Sequence, residues 1–164
     1  MRAEDSVSVI KGVGAKTTAL FSKLHIDTAG QLACHFPRSY EHYEPVVSIA
    51  ELRPGEVAAI RACVIGTPSV VRAGGLAITH ATVGDVTGQM RLTWFRMPYL
   101  KKVLQPGSVH VFRGMVKSGT KNALLMEHPK MFQLQEYEKL WGSWQTCYAL
   151  TPGLSDRMFS KCVR

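Results

Sequence analysis

The chain has 164 residues, 46% of them hydrophobic, which is enough to bury the core of one ordinary domain or of two small ones and excludes a disordered chain. Twenty lysines and arginines against 12 acidic residues give a formal charge of +8, which favours a polyanionic partner, with nucleic acid first among them. The N-terminus carries Arg2, Glu4 and Asp5 and no long apolar run, so we expect neither a signal peptide nor a membrane span, and a cytoplasmic location.

The cysteines form no recognisable metal or redox motif. Cys34, Cys63, Cys147 and Cys162 are far apart, with no CxxC pair and no paired histidine spacing. We therefore expect reduced thiols, no metal site and no catalytic site in these residues.

Residues 1–45 are predicted to form a small helical segment. Two helices are expected after the Gly12-Val13-Gly14 turn, the second of them starting at Asp27-Thr28. The glycine turn resembles that of the helix-hairpin-helix motif, in which backbone amides at a helix N-terminus approach a DNA phosphate. Gly12, Gly14 and Lys16 are candidates for such a contact, although the same hairpin also serves purely for packing, and both uses stay open.

Residues 46–134 are predicted to form a β-rich domain, after an irregular connection over residues 37–56. Apolar and β-branched runs predict five strands, namely Val57 to Val71 with an interruption at Pro68, Leu76 to Val83, Gln89 to Phe95, Ser108 to Lys117 and Asn122 to Glu127. A short helix at Tyr99 to Leu104 separates the third strand from the fourth. This order is that of the OB fold, a small closed barrel that commonly presents strands two and three to nucleic acids. The predicted class is therefore α+β, mainly β: a five-stranded OB-fold barrel preceded by a helix-hairpin-helix-like segment.

The third strand has two different faces, because successive side chains of a strand point in opposite directions. Its apolar set should face the core and consists of Met90, Leu92 and Trp94. The opposite set should face outward and consists of Arg91, Thr93 and Phe95.

An aromatic residue at the end of this strand, followed by basic residues, combines a stacking surface with phosphate-neutralising charge. The candidate DNA-binding residues are Phe95, Tyr99, Arg91, Arg96, Lys101, Lys102, Arg72, Lys117 and Lys121. The spacing of Phe95 and Tyr99 also fits a pair that packs under a neighbouring loop, and each basic residue taken singly also fits a solvated surface.

Residues 135–164 are predicted to be a linker. Ser155 is a candidate N-cap of a helix that the end of the chain cuts short, so we expect these residues to belong to a longer protein.

Taken together, these segments resemble the N-terminal wedge region of RecG-type ATP-dependent DNA helicases, which remodel branched DNA. The matching pieces occur in the same order along nearly the whole chain. They are Lys11-Gly12-Val13-Gly14, Leu32 to Pro37 with Tyr40-Glu41, Leu52 to Gly55, Gly84-Asp85 through Trp94-Phe95, Glu127-His128-Pro129-Lys130, and Tyr148 through Leu154-Ser155.

The resemblance implies a wedge that divides strands at a replication fork or Holliday junction during DNA repair and recombination. It implies that Phe95 stacks on a base pair at the branch and that Tyr99 supports it, while Trp94 leaves open which neighbouring aromatic stacks. It also implies a separate helicase motor in the same chain, where ATP and Mg²⁺ are used; no cofactor is expected in the present residues.

The expected partners are branched DNA, the motor domains and a single-strand-binding protein. We expect a monomer that does not bind membranes and that associates with the bacterial nucleoid. Two alternatives stay open from the residues themselves: a general OB module for single-stranded DNA or RNA, and a domain that docks another protein.

Overall fold

The computed structural model describes residues 2–148 and 150–155, together with Phe159 and Cys162. The elements in chain order are α1 (Ala15–Ser22), α2 (Ala29–Ala33), β1 (Ser39–His42), β2 (Val57–Ala73), β3 (Leu76–Gly84), β4 (Gln89–Phe95), α3 (Leu100–Val103), β5 (Val109–Ser118), β6 (Leu124–Glu127), β7 (Lys130–Phe132), α4 (Leu134–Leu140) and β8 (Trp144–Cys147). Single 3-10 turns lie at Val7–Val9, Ile49–Glu51 and Thr120–Asn122. No described helix has both the length and the apolar content needed to cross a membrane.

The chain divides into two compact units. Glu44–Gly142 form a barrel unit, and Met1–Tyr43 together with Ser143–Arg164 form a helical unit. These boundaries differ from the predicted divisions at residues 45 and 134, because the predicted linker 135–164 is shared between the units.

Specific contacts account for this sharing. In the barrel unit, α4 buries Tyr137 to 2% exposure, and the Tyr137 hydroxyl donates to the Glu44 carbonyl oxygen at 2.8 Å. In the helical unit, Phe159 is fully buried with its ring 5.6 Å from that of Phe21.

The barrel unit has the predicted OB topology. Its strands run in the order β2-β3-β4-β6-β5, and β5 pairs back with β2 to close the barrel. The β4–β6 pairing is parallel, and the other pairings are antiparallel. The five predicted strands and the helix between the third and the fourth are confirmed; β7 is an additional short strand that pairs with β5 beyond the end of β6.

The 17-residue strand β2 bends and therefore pairs with two different strands. Its first part pairs with β5 and its second with β3, with a register shift between Ile65 and Ser69. Gly66 has φ +67° and Pro68 has no amide hydrogen, and both suit the irregular segment of a bulged strand.

The core of the barrel follows from strand alternation. Met90, Leu92 and Trp94 are exposed by 3%, 0% and 3%, as predicted, and pack with Val83, Phe112 and other buried residues. The Trp94 Nε1–H donates to the Pro129 carbonyl oxygen at 3.1 Å, which satisfies the polar atom of this buried ring.

The β3–β4 turn is held by one carboxylate. Asp85 Oδ1 accepts from the Thr87 amide, the Thr87 hydroxyl and the Gly88 amide, and Asp85 Oδ2 accepts from the Ile49 amide at 2.8 Å. Burial by itself raises the pKa of Asp85, but these hydrogen bonds outweigh it and hold the pKa below its usual value.

In the helical unit, α2 begins as predicted. Thr28 caps it by accepting from the Gln31 amide at 3.3 Å, while Gln31 Oε1 accepts from the Thr28 amide at 3.1 Å. The glycine turn before α1 is preceded, among residues 2–14, by the 3-10 turn Val7–Val9 and by no α-helix. The likeness to a helix-hairpin-helix motif is therefore confined to the turn and the helix after it.

The strands β1 and β8 form a separate two-stranded antiparallel sheet in the helical unit. β1 lies inside the predicted irregular connection, and β8 lies inside the predicted linker. The sequence signal is weak because Ser39-Tyr40-Glu41-His42 has no β-branched residue and its partner is about a hundred residues away.

Candidate nucleic-acid interface

The outer face of β3 and β4 contains the leading candidates. Phe95 lies opposite Ile78, Thr93 opposite His80, and Arg91 opposite Thr82. Directly opposed residues of paired strands share a face, so these side chains form three rows across the sheet. The parallel pairing with β6 adds Leu125 and Glu127 to the same face.

Phe95 ends β4 and is half-buried on this face. Its amide donates to His128 Nε2 at 3.1 Å, and the two rings lie 5.4 Å apart with a tilt of 35°. The neighbouring Trp94 lies in the core, so of these two adjacent aromatic rings it is Phe95 that reaches the outer face.

The chain turns sharply after Phe95. Arg96 has φ +60°, and its amide donates to the Ala77 carbonyl oxygen at 2.7 Å. The Thr79 hydroxyl donates to the Met97 carbonyl oxygen at 2.9 Å, which fixes the next part of the turn. Tyr99 follows directly before α3 and is 58% exposed, more than Phe95.

An open cleft of about 510 Å³ lies beside Tyr99, between α3 and residues 128–132. Its lining is mainly apolar and includes Met97, Val103 and Phe132. Tyr99 therefore presents its ring at the edge of an apolar hollow.

Four of the predicted basic residues are exposed along β4, the following turn and α3: Arg91, Arg96, Lys101 and Lys102. Lys117 shares the face of Arg91, because both lie opposite Leu125. It forms an ion pair with Glu127, so part of its charge is already neutralised. Lys121 is exposed in the β5–β6 turn with φ +58°.

Arg72 does not belong to this face. It lies opposite Ala77, one position away from the Val71–Ile78 pair that shares the face of Phe95. Since neighbouring strand residues point to opposite sides, the Arg72 side chain leaves the sheet on the other side. Arg72 therefore lies on a different face from Arg91 and Phe95, and a DNA contact by Arg72 stays a prediction.

Gly12, Gly14 and Lys16 belong to the helical unit, so the structure does not gather them into one unit with the barrel candidates. All three are exposed; Gly12 has φ +96°, and Gly14 is the N-cap of α1. A phosphate contact by these residues stays a prediction.

His128 was not among the predicted site residues, although it lies beside Phe95. His128 contacts Phe95, while His80 Nδ1 lies 3.1 Å from the Thr93 hydroxyl, and Thr93 is only 8% exposed although its strand position faces outward. The matching segment Glu127-His128-Pro129-Lys130 was the one signal that could have found His128. Among the described residues, no cluster of three or more His, Cys, Asp and Glu side chains is arranged to hold a metal ion.

Comparisons with known proteins agree with this architecture. The model of the RecG wedge domain family matches residues 6–164. The ATP-dependent DNA helicase RecG of Synechocystis sp. is 28% identical over 163 residues, covering 89% of this chain and 20% of the relative. RecG of Thermotoga maritima is 26% identical over 157 residues, covering 94% and 20%.

A solved structure of RecG bound to a three-way DNA junction superposes with a TM-score of 0.80 at 23% identity, covering 99% of this chain and 22% of that one. The likeness extends over both units, each of which has a counterpart in that fold. The present chain spans about a fifth of the length of the curated relatives it matches.

Proposed function

Because the chain belongs to the RecG wedge domain family, we propose that it is the branched-DNA-binding wedge of a longer ATP-dependent DNA helicase. The barrel sits at a replication fork or Holliday junction and keeps two strands apart by base stacking and phosphate contacts. No bond is made or broken by these residues. ATP and Mg²⁺ act at motor domains elsewhere in the longer protein.

The observation that carries this proposal is the outer face of β4. An aromatic ring at Phe95 and a guanidinium at Arg91 share one face of the sheet, and the turn after the strand adds Arg96, the exposed Tyr99 ring and the lysines of α3. A ring that stacks on a base beside cations that neutralise phosphates is the combination that sequence-tolerant binding of DNA strands requires.

In this role the longer protein works as a monomer at the bacterial nucleoid, in DNA repair and recombination, with the single-strand-binding protein as a further partner. The net charge of +8 supports a polyanionic partner and gives long-range attraction towards it.

The test is the affinity of the chain for a three-way fork, for linear duplex and for single strand of equal length, by fluorescence anisotropy at two salt concentrations. We expect a clear preference for the fork and a steep loss of affinity with salt. The Phe95→Ala variant should bind the fork about tenfold or more weakly, since stacking contributes roughly 1 to 3 kcal/mol per base. Its thermal unfolding should remain cooperative, because Phe95 lies outside the buried core.

Other outcomes separate the alternatives. Equal binding to all three DNAs would make the barrel a general single-strand module, without branch recognition of its own. Salt-insensitive binding to another protein, with no DNA binding, would make it a docking domain. Unchanged fork affinity in Phe95→Ala would remove the stacking role from this residue.

A further inference from the structure

The amide of Phe95 has an unusual acceptor for a strand residue. The parallel β4–β6 ladder runs from the Arg91–Leu125 pair to the Thr93–Glu127 pair, and the His128 amide still donates to the Thr93 carbonyl oxygen at 2.7 Å. At Phe95, two residues further along β4, the acceptor of the amide is the His128 side chain rather than a backbone carbonyl.

The local backbone explains this exchange. His128 has φ +50°, a left-handed conformation that turns the chain away from β4, and Pro129 follows it. The Pro129 carbonyl oxygen is engaged by the buried Trp94 Nε1–H at 3.1 Å. The backbone ladder therefore ends between Thr93 and Phe95, and the His128 imidazole accepts the hydrogen bond of the Phe95 amide.

We propose that His128 is a positioning residue for Phe95: its Nε2 holds the Phe95 amide and its ring packs beside the Phe95 ring, which fixes the stacking aromatic at the end of β4. This inference rests on the proposed function, because it assigns His128 a role in the DNA affinity of that site. It adds a residue from β6–β7 to a site otherwise built on β4 and α3.

The hydrogen bond sets a requirement on the imidazole. An amide can only donate to an unprotonated ring nitrogen, so Nε2 must carry the lone pair and the proton of the neutral ring must reside on Nδ1. The hydrogen bond from His128 holds the backbone of Phe95, whereas the contact between the two rings holds the Phe95 side chain. Variants of His128 can remove the hydrogen-bond acceptor and the ring separately.

The key pair of variants is His128→Gln and His128→Met. Glutamine carries an acceptor oxygen as many bonds from Cα as the imidazole Nε2, whereas methionine has the same unbranched length and no comparable acceptor. Both residues meet the same backbone strain at φ +50°, so the pair differs in the acceptor and not in the turn.

Two measurements on the full chain test the proposal. The ¹⁵N spectrum of the wild type should show an unprotonated His128 Nε2, and the Phe95 amide proton should shift and exchange faster in His128→Met but not in His128→Gln. Both variants lose the ring contact, so fork affinity should fall about three- to tenfold further in His128→Met than in His128→Gln, the additional loss expected for one hydrogen bond.

A double-mutant cycle decides how His128 acts. If it acts through Phe95, His128→Met should cause no further loss of fork affinity in a Phe95→Ala background. An undiminished loss there would mean that His128 contacts DNA itself and would overturn the proposal, as would equal affinities for the Gln and Met variants.

The two proposals fail in distinguishable ways. If Phe95→Ala leaves fork affinity unchanged, the stacking role falls, and the role of His128 in recognition falls with it. If Phe95→Ala weakens binding while His128→Met disturbs the Phe95 amide without changing affinity, the wedge stands and only the positioning proposal is overturned.

Discussion

At the scale of single residues, the basic side chains on the outer face of the barrel differ in how freely they can contact a phosphate. Arg91 is exposed between Thr82 of β3 and Leu125 of β6, whereas Lys117, on the same face, is paired with Glu127. The side chains of that pair are 49% and 41% exposed, so the pair is a surface ion pair worth at most about 1 kcal/mol. Its effect on folding is small, but it lowers the positive potential that a phosphate meets.

The first prediction concerns this pair. Glu127→Gln should raise fork affinity, because it removes a negative charge from the face and releases Lys117 for a phosphate. Lys117→Gln should weaken binding less than Arg91→Gln does, and Arg91→Gln should reduce the slope of log affinity against log salt by about 1. Anisotropy titrations over a salt series provide both quantities.

A matched control is Glu138→Gln on the exposed side of α4, which makes the same charge change away from β4. If this control raises affinity as much as Glu127→Gln, the gain reflects net charge and not the ion pair on the face.

At the scale of elements, the β3–β4 turn shows how a short loop is tied to the rest of the barrel. One Asp85 carboxylate oxygen closes the turn on Thr87 and Gly88, and the other reaches Ile49, which is part of the buried core. The turn thereby joins two strands and the 3-10 turn Ile49–Glu51 through a single side chain.

The second prediction is a pH effect with a defined sign. The pKa of Asp85 is lower in the folded chain than its ordinary value of 3.8, so its stabilisation is present above that value and is lost as the pH falls through the folded pKa. Asp85→Asn should lower the free energy of unfolding by about 1 to 2 kcal/mol at pH 7. The difference from wild type should shrink below about pH 4, as measured by urea denaturation at several pH values.

Val86→Ala is the control at the same turn, because the Val86 side chain is fully exposed and should contribute little to stability. A constant gap between wild type and Asp85→Asn down to pH 2 would contradict the role given to the ionised carboxylate.

Elements with a clear local pattern were predictable, and those without one were not. The run from Gln89 to Phe95 alternates cleanly and is followed by Pro98, so its strand, its buried face and the next helix were all correct. β1 and β8 carry no such pattern, since each is a strand only because the other is beside it. Local sequence cannot report a partner about a hundred residues away.

The candidate site was predictable to a similar extent. The strand position of Phe95 and Arg91 followed from alternation alone. Three features depend on the register between strands or on the bulge in β2. They are the ion pair of Lys117, the side of the sheet on which Arg72 lies, and the contact between Phe95 and His128. A sequence pattern shows which residues of one strand share a face, but it does not show how that strand is aligned with its neighbour.

At the scale of the whole molecule, the two units are built differently. The main core of the barrel lies entirely within residues 44–142, a continuous stretch. The second core draws Val7, Phe21 and Leu32 from one part of the chain and Leu154 and Phe159 from another. The barrel therefore has what an independent domain needs, while the helical unit needs both of its segments.

The third prediction follows from this difference. A protein of residues 44–142 alone should unfold cooperatively in thermal denaturation and bind the three-way fork within about threefold of the full chain, if the wedge contacts lie on the barrel. The same stretch with Phe95→Ala is the control and should lose affinity as it does in the full chain.

A folded barrel without fork affinity would move the DNA contacts to the helical unit and revive the role of Gly12, Gly14 and Lys16. An unfolded barrel would contradict its independence.

The pairing of β1 with β8 also sets an order of events during protein synthesis. Ser39 pairs with Cys147, so β1 leaves the ribosome about a hundred residues before its partner does. At about 5–20 residues per second, β1 waits roughly 5 to 20 s for β8, while the residues of the barrel are translated. The helical unit, which contains the earlier strand, is thus completed only after the barrel has been translated.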